Sequence, residues 1–318
     1  MTATNSIAHA LVLSAGLGTR LRPLTLIRAK PAIPVAGDPL VRRILRWLVA
    51  SGVSNVTVNL HYLPETITTL VGDGSDLNAR VRYSWEQPAV LGSAGGPRQA
   101  LEIIGADTFL LVNGDTLTDL DVPSLCDAHL RSGALVTMAL VPNVDPLRYG
   151  GVQLASDGRV TGFVRRGPDA SGSFHFIGVQ VAHRSVFAGL PPGQPINSVG
   201  GCYDELIARE PGRIRGLVTQ AGFWDIGTVA DYWHTSLAWS PDSGGTSAAS
   251  HVAGTATITR SILWDAVNIG ADASIDECIV TDGVHVRAGS RHYRHILMRA
   301  TDGTTIVEPL DVNGMQRT

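Results

Sequence analysis

Apolar positions in this chain follow two rhythms, and the change from one to the other divides it. Through the first 240 residues, compact apolar runs alternate with stretches in which apolar side chains return every three or four positions. The runs within 8–15, 54–60 and 108–115 are short, rich in branched side chains and ended by turn formers, which predicts buried strands. Segment 39–50 sets Leu40, Val41, Ile44, Leu45 and Leu48 on one face, interleaves Arg42, Arg43 and Arg46, and is followed by Gly52. That pattern predicts an amphipathic helix with a solvated arginine face. Further helices are expected after Gly92–Gly96, over 122–131 and over 229–238. Strand and helix signals in alternation specify an α/β fold, a Rossmann-like, mainly parallel sheet flanked by helices.

Past residue 240 the rhythm changes. Residues 241–250 are small and polar without apolar periodicity, the composition of a linker. In 251–318, apolar positions such as Ile269, Ile275, Val284 and Val286 fall at near six-residue intervals among glycines. This spacing predicts a short left-handed β-helix-like extension of hexapeptide type, with a β-meander as the alternative. Two or three coils cannot bury their own apolar positions, so the extension is expected to pack on the main domain or on a second subunit. The expected organisation is a domain over 1–240, a linker over 241–250 and the extension over 251–318.

Composition narrows the classes. The chain has 318 residues, 44% hydrophobic and 17% charged, enough to bury a large core. It shows no basic leader and no apolar run near the roughly 18 residues of a spanning helix, so a cytoplasmic location away from the membrane is expected. Cys126, Cys202 and Cys278 are odd in number and widely spaced, against a disulfide framework or thiolate metal site. A net charge of −3 argues against a nucleic-acid binder, but the first 50 residues carry seven basic side chains against Asp38 alone. Of the 25 basic residues, only Lys30 is lysine. A compact ammonium differs from a planar guanidinium in reach and donor geometry, so this lone exception is a candidate for chemistry that arginine cannot copy.

The richest motif follows the first strand: Leu13-Ser14-Ala15-Gly16-Leu17-Gly18-Thr19-Arg20-Leu21-Arg22-Pro23-Leu24-Thr25, then Lys30-Pro31. Glycines at 16 and 18 permit close backbone approach to an anion, while Arg20 and Lys30 supply charge. A dinucleotide fingerprint would need glycine where Leu21 stands, and no P-loop pattern is present. The full string resembles the signature of the sugar-1-phosphate nucleotidyltransferases. Three further segments share the likeness: Leu91-Gly92-Ser93-Ala94-Gly95-Gly96 is similar to the family's base-reading turn, Val112-Asn113-Gly114-Asp115 to its first metal-site strand, and Trp224-Asp225-Ile226-Gly227-Thr228 to its second. A C-terminal β-helical extension is common in the same family, particularly among its mannose-1-phosphate guanylyltransferase members.

The resemblance implies a nucleoside triphosphate and a sugar 1-phosphate as substrates, and Mg²⁺ as cofactor. In-line attack of the sugar phosphate on the α-phosphate releases pyrophosphate, so fixed cations and a divalent ion supply most of the acceleration. It places Arg20 and Lys30 at the phosphates as catalytic residues. Nucleotide binding falls to Leu13, Ala15, Gly16, Gly18, Thr19 and Gly92, with Glu86 a candidate acceptor for a guanine edge or, alternatively, a solvated strand-end acid. Asp115 and Asp225 are the expected metal ligands, with a helix cap or turn as the structural alternative for each. For the sugar phosphate it points to Asn113, Gly151, Arg166, Gly178 and Gln180, in part through the segment Phe176-Ile177-Gly178-Val179-Gln180. Where the family commonly carries Phe-x-Glu-Lys-Pro, this chain has Phe163-Val164-Arg165-Arg166-Gly167-Pro168. Arg165 cannot accept hydrogen bonds from sugar hydroxyls, so another residue does this or the sugar differs from the usual hexoses.

GTP with mannose 1-phosphate or a related sugar is the leading expectation. Alternatives are a UTP-dependent enzyme, a heptose- or amino-sugar-specific one, a transferase for a phosphorylated alcohol such as choline phosphate, and a silent nucleotide-sugar-binding regulator. A silent homologue should have lost Arg20, Lys30, Asp115 or Asp225, and all are present. A homo-oligomer is expected.

Overall fold

The computed structural model describes residues 7–240, 245–247 and 249–312. Contacts divide the chain into two compact units, Met1–Gly16 with Ile44–Trp224, and Leu17–Arg43 with Asp225–Thr318.

The first unit is built on a nine-stranded sheet. Thr108–Asn113, His9–Leu13, Asn55–Leu60 and Arg80–Trp85 lie side by side and parallel, with Val12 between Val58 and Val112. Phe174–His183 runs antiparallel to Thr108–Asn113 and to Val136–Pro142, which pairs in parallel with Ile214–Val218. The hairpin Gly151–Leu154 and Val160–Val164 completes the sheet. The three strands expected from apolar runs are present, and so are helices at Leu40–Ala50, Gly92–Ile104, Val122–Ser132 and Val229–Trp239. Leu11, Ala94, Ala100, Phe109, Leu111, Met138, Phe187 and Tyr203 share one buried core. Each large apolar side chain buried there contributes roughly 1.5–3 kcal/mol.

In the second unit, residues 251–299 wind as parallel coils of 17 residues. His251 pairs with Asn268 and Asn268 with His285, Ile258 with Ile275 and Ile275 with His292, Ile262 with Ile279 and Ile279 with Ile296. Same-direction pairing at a constant offset excludes the meander and gives the β-helix-like extension. The corners recur at the same offset: Arg260, Glu277 and Arg294 all have positive φ, as do Ala266 and Gly283, and Asp272 and Gly289. At one corner the strained residues form an ion-paired ladder, with Glu277 bridging Arg260 at 3.4 Å and Arg294 at 2.6 Å. Leu263, Ile269, Ile275, Val280, Val286 and Leu297 stack inside. The coils end in a hairpin, where Thr305–Pro309 runs antiparallel to His295–Arg299.

Of the expected linker, residues 241–244 and 248 lie outside the described residues. The extension packs on the helix Val229–Trp239 and on Leu17–Arg43. Trp264 Nε1 donates to Tyr232 Oη at 2.8 Å, and Tyr232 donates in turn to the Pro34 carbonyl at 2.7 Å. Arg260 lies over the Trp233 ring at 5.2 Å, and His234 Nε2 meets the Val312 carbonyl at 2.9 Å. Cys126, Cys202 and Cys278 are buried free thiols.

Candidate active site

In the first unit, the strand His9–Leu13 delivers Leu13, Ser14 and Ala15 to the sheet edge, and a chain of hydrogen bonds fixes them. Ser14 N–H donates to Asn59 Oδ1 at 2.5 Å, Asn59 Nδ2 donates to Glu86 Oε1 at 2.6 Å, and Leu91 N–H donates to Glu86 Oε2 at 2.6 Å. Every bond points toward the carboxylate. Glu86 thus ties the loop start at Ser14 to the residue before Gly92. Its exposure is 0%, which excludes the solvated strand-end acid and corrects the expectation of an acceptor displayed to a base edge. Gly92 has φ +76°, and a Cβ there would stand 2.7 Å from the Ile196 carbonyl, so the turn requires glycine. Gly16, beyond Ala15, is exposed.

Asp115 occupies a half-buried turn after Thr108–Asn113. Gly114 N–H donates to the Leu13 carbonyl at 2.9 Å, which sets Asp115 beside the start of the glycine loop. Asn113 lies against Gly178, whose φ is +80°, and a Cβ on Gly178 would be 2.8 Å from Asn113 Nδ2. The structure brings these two residues together. Gly151 is buried against Ser173 Oγ, and Arg166 is exposed beyond the adjoining strand end. Gln180 departs from expectation: it is 3% exposed, and Tyr203 Oη donates to its side-chain carbonyl at 3.1 Å. The pairing of this strand with Val136–Pro142 shifts register between Phe176 and Gln180, so Gly178 does not set the face that Gln180 takes, and its bond to fully buried Tyr203 makes Gln180 a core group in place of the expected sugar contact. Tyr149, His175 and Phe223 form an aromatic trio with centroids 4.2 to 5.6 Å apart, which sequence reasoning missed because the three are far apart in the chain. Burial pushes the His175 imidazole down to about 4.

In the second unit, Gly18 has φ +61°, and a Cβ there would lie 2.8 Å from Thr25 Cγ2 and 3.3 Å from Lys30 Cβ. Thr25 Oγ1 donates to the Gly18 carbonyl at 2.9 Å. The loop therefore closes on itself, bringing Gly18, exposed Thr19 and Arg20, and half-buried Lys30 into one segment. Around Gly227 three charged groups converge: a Cβ there would lie 3.1 Å from Asp231 Oδ2, 3.2 Å from Asp225 Oδ2 and 3.5 Å from Arg20 Nη1. Asp231 is the capping acid of Val229–Trp239, receiving Thr228 N–H at 2.9 Å while its own N–H donates to Thr228 Oγ1 at 3.2 Å. Asp225 is therefore not the helix cap, and the helix Val122–Ser132 has Asp121, not Asp115, at its N-cap.

Among the described residues, no cluster of three or more His, Cys, Asp or Glu is disposed to hold a metal ion. Mg²⁺ takes one or two carboxylates and fills its other positions with phosphate oxygens and water, and Asp115 and Asp225 are hard oxygen donors of that kind.

Residues 9–240 match the model of the nucleotidyl transferase family, and the chain belongs to that family. It is 32% identical over 294 residues to a mannose-1-phosphate guanylyltransferase of Mycobacterium tuberculosis, covering 88% of this chain and 81% of that protein. It is 33% identical over 231 residues to an N-acetylmuramate α-1-phosphate uridylyltransferase of Neisseria meningitidis, 69% of this chain and 93% of that one. Among solved structures, HddC from Yersinia pseudotuberculosis superposes with a TM-score of 0.64 at 24% identity, covering 73% of this chain and all of that one, a likeness of fold.

Proposed function

We propose that this nucleotidyltransferase joins GTP and mannose 1-phosphate, or a closely related sugar 1-phosphate, to give a GDP-sugar and pyrophosphate. What carries the reading is the reach of the likeness: the match to the mycobacterial mannose-1-phosphate guanylyltransferase covers 88% of the chain, whereas that to the N-acetylmuramate uridylyltransferase covers 69%. A sugar-phosphate oxygen forms the new bond to the α-phosphorus, the bond to the β-phosphate bridging oxygen breaks, and the electron pair leaves with pyrophosphate. Arg20 and Lys30 hold the triphosphate and offset the charge building at the α-phosphorus. Leu13, Ala15, Gly16, Gly18, Thr19 and Gly92 serve the nucleotide, and Glu86 braces Ser14 and Leu91. Asn113, Gly151, Gly178 and Arg166 serve the sugar-phosphate side. Asp115 and Asp225 would hold Mg²⁺, which supplies Lewis-acid stabilisation of the phosphates when bound.

A second reading, a sugar other than the usual hexoses, is favoured by exposed Arg165 and Arg166 where the family commonly has an acid and a lysine. Four nucleoside triphosphates tested against mannose, glucose, N-acetylmuramate and heptose 1-phosphates, read by pyrophosphate release, decide between them. Preference for UTP would sink the guanylyl reading, and preference for another sugar would sink the mannosyl one. We also propose a homo-oligomer, which a monomer mass by light scattering would exclude.

A further inference from the structure

Arg28 lies between the two residues assigned to the phosphates. It follows the turn Leu24–Leu26 and precedes Lys30–Ala32, and its side chain is nearly buried, at 11% exposure. Nε donates to Asp282 Oδ2 at 2.6 Å and Nη2 to Asp282 Oδ1 at 2.6 Å, a two-pronged pair. Nη2 also donates to Asp265 Oδ2 at 2.5 Å, Nη1 to the Ala32 carbonyl at 3.4 Å, and the guanidinium lies over the Trp264 ring at 5.4 Å. Asp265 and Asp282 are 17 residues apart, the same place on successive coils, and Asp265 N–H donates to Asp282 Oδ1 at 3.1 Å. Ser247 Oγ donates to the remaining Asp265 oxygen.

A planar guanidinium is matched to this task, because its fork fixes direction as well as distance, which a lysine ammonium cannot do. The coils are held by parallel ladders and a stacked core, whereas residues 17–39 form short 3₁₀ turns and a hairpin of two-residue strands, Pro34–Val35 and Asp38–Pro39. Turn bonds within this segment, such as Leu21 N–H to the Gly18 carbonyl and Ile33 N–H to the Lys30 carbonyl, are local, whereas Arg28 reaches carboxylates more than 230 positions away. We infer that Arg28, gripped by Asp265 and Asp282, positions the loop bearing Arg20 and Lys30, so that the β-helical extension acts in the reaction as the loop's anchor. The inference rests on the phosphate-binding role given above to Arg20 and Lys30. It also revises what the sequence leads one to expect of the extension, since a module used only for packing or assembly would leave the chemistry untouched.

Replacing Arg28 alone strands two carboxylates and can unfold the unit, so the decisive variant neutralises the whole clasp: R28M/D265N/D282N. At equal folded fraction by circular dichroism, the expected result is a kcat lowered about tenfold or more with KM for the sugar phosphate within about twofold, since displacement of a reacting group by about 1 Å can cost a hundredfold. Arg28→Lys, which keeps charge but loses the fork, should recover only part of that loss relative to Arg28→Met. A triple variant with wild-type melting temperature and kcat within about twofold of wild type would overturn the inference. If the wild-type protein releases no pyrophosphate with any substrate pair, the functional reading fails by itself. The clasp is then read from the rise in melting temperature produced by GTP: a smaller rise in the triple variant supports anchoring, and an equal rise overturns it.

Discussion

Around Glu86 the protein surrounds a fully buried carboxylate with neutral donors, whereas around Arg28 it sets one guanidinium between two carboxylates. Both arrangements brace a loop assigned to the nucleotide. The first is a directed chain in which an amide and two backbone N–H groups all donate toward one charge, and it lies within a well-packed sheet core. The second is a forked ion-pair cluster, one positive charge shared by two carboxylates, on a segment of short turns. Buried neutral donors fix a backbone that the core already confines, while opposite charges with forked geometry fix one that the core does not. Removing a partner should therefore act differently in the two places, through strain near Glu86 and through misplacement near Arg28.

The largest expected effects lie in the proposed chemistry itself. Asp115→Asn and Asp225→Asn should each lower turnover by about a hundredfold or more with the fold intact, because an anionic ligand is lost from a half-buried carboxylate that packs little. Pyrophosphate release measured against Mg²⁺ concentration checks this, and near-normal rates at ordinary Mg²⁺ would remove that aspartate from the metal site. Lys30→Arg should lower kcat by up to about a hundredfold, since a larger planar cation displaces the phosphates. Wild-type kinetics in this variant would dissolve the significance given to the solitary lysine.

On the Glu86 side, Glu86→Gln should cost about 1–3 kcal/mol, because both neighbours of the carboxylate are donors and an amide must turn its own NH₂ toward one of them. Gly96→Ala should cost a comparable 1–3 kcal/mol, since its Cβ would lie 2.5 Å from Glu86 Oε1 and 2.9 Å from Asn59 Nδ2. Denaturant titration measures both, and a stability unchanged in both would show that the directed chain is slack. The smallest effect concerns pH. Burial first, and His183 second, push the His129 imidazole down to about 4 from an ordinary 6.5, and its Nδ1 meets Thr137 Oγ1 at 2.9 Å. The unfolded chain then binds a proton that the folded one excludes. This contribution is complete above pH 6.5 and falls away as pH drops toward 4, by at most about 3 kcal/mol. Melting temperatures across that window should decline more steeply in the wild type than in His129→Gln.

Much of the fold was legible in the sequence because its strands are continuous apolar runs and its helices carry one apolar face. The glycine-rich loop was legible for a similar local reason: Gly18 has a positive φ and no room for a Cβ. Gln180 was not legible because the strand's register breaks between Phe176 and Gln180, which uncouples a side chain's face from the alternation counted along the chain. Asn59 carried no signal at all, being an ordinary polar residue inside an apolar run. Arg28 was counted among the cations of the first 50 residues without a purpose, since its partners come more than 230 positions later. Asp265 and Asp282 differ by one whole coil of 17, a length that near six-residue intervals do not disclose.

The constant offset of the coils has a consequence for how this chain can change in length. Deleting a single residue within 251–299 shifts every later residue by one place, turning stacked isoleucines outward and moving Asp282 away from Asp265. Adding or removing one full turn of 17 leaves inside and outside as they were. Viable length variants of the extension should therefore come in steps of whole turns, and a duplicated turn would present a further aspartate in line with the two that hold Arg28.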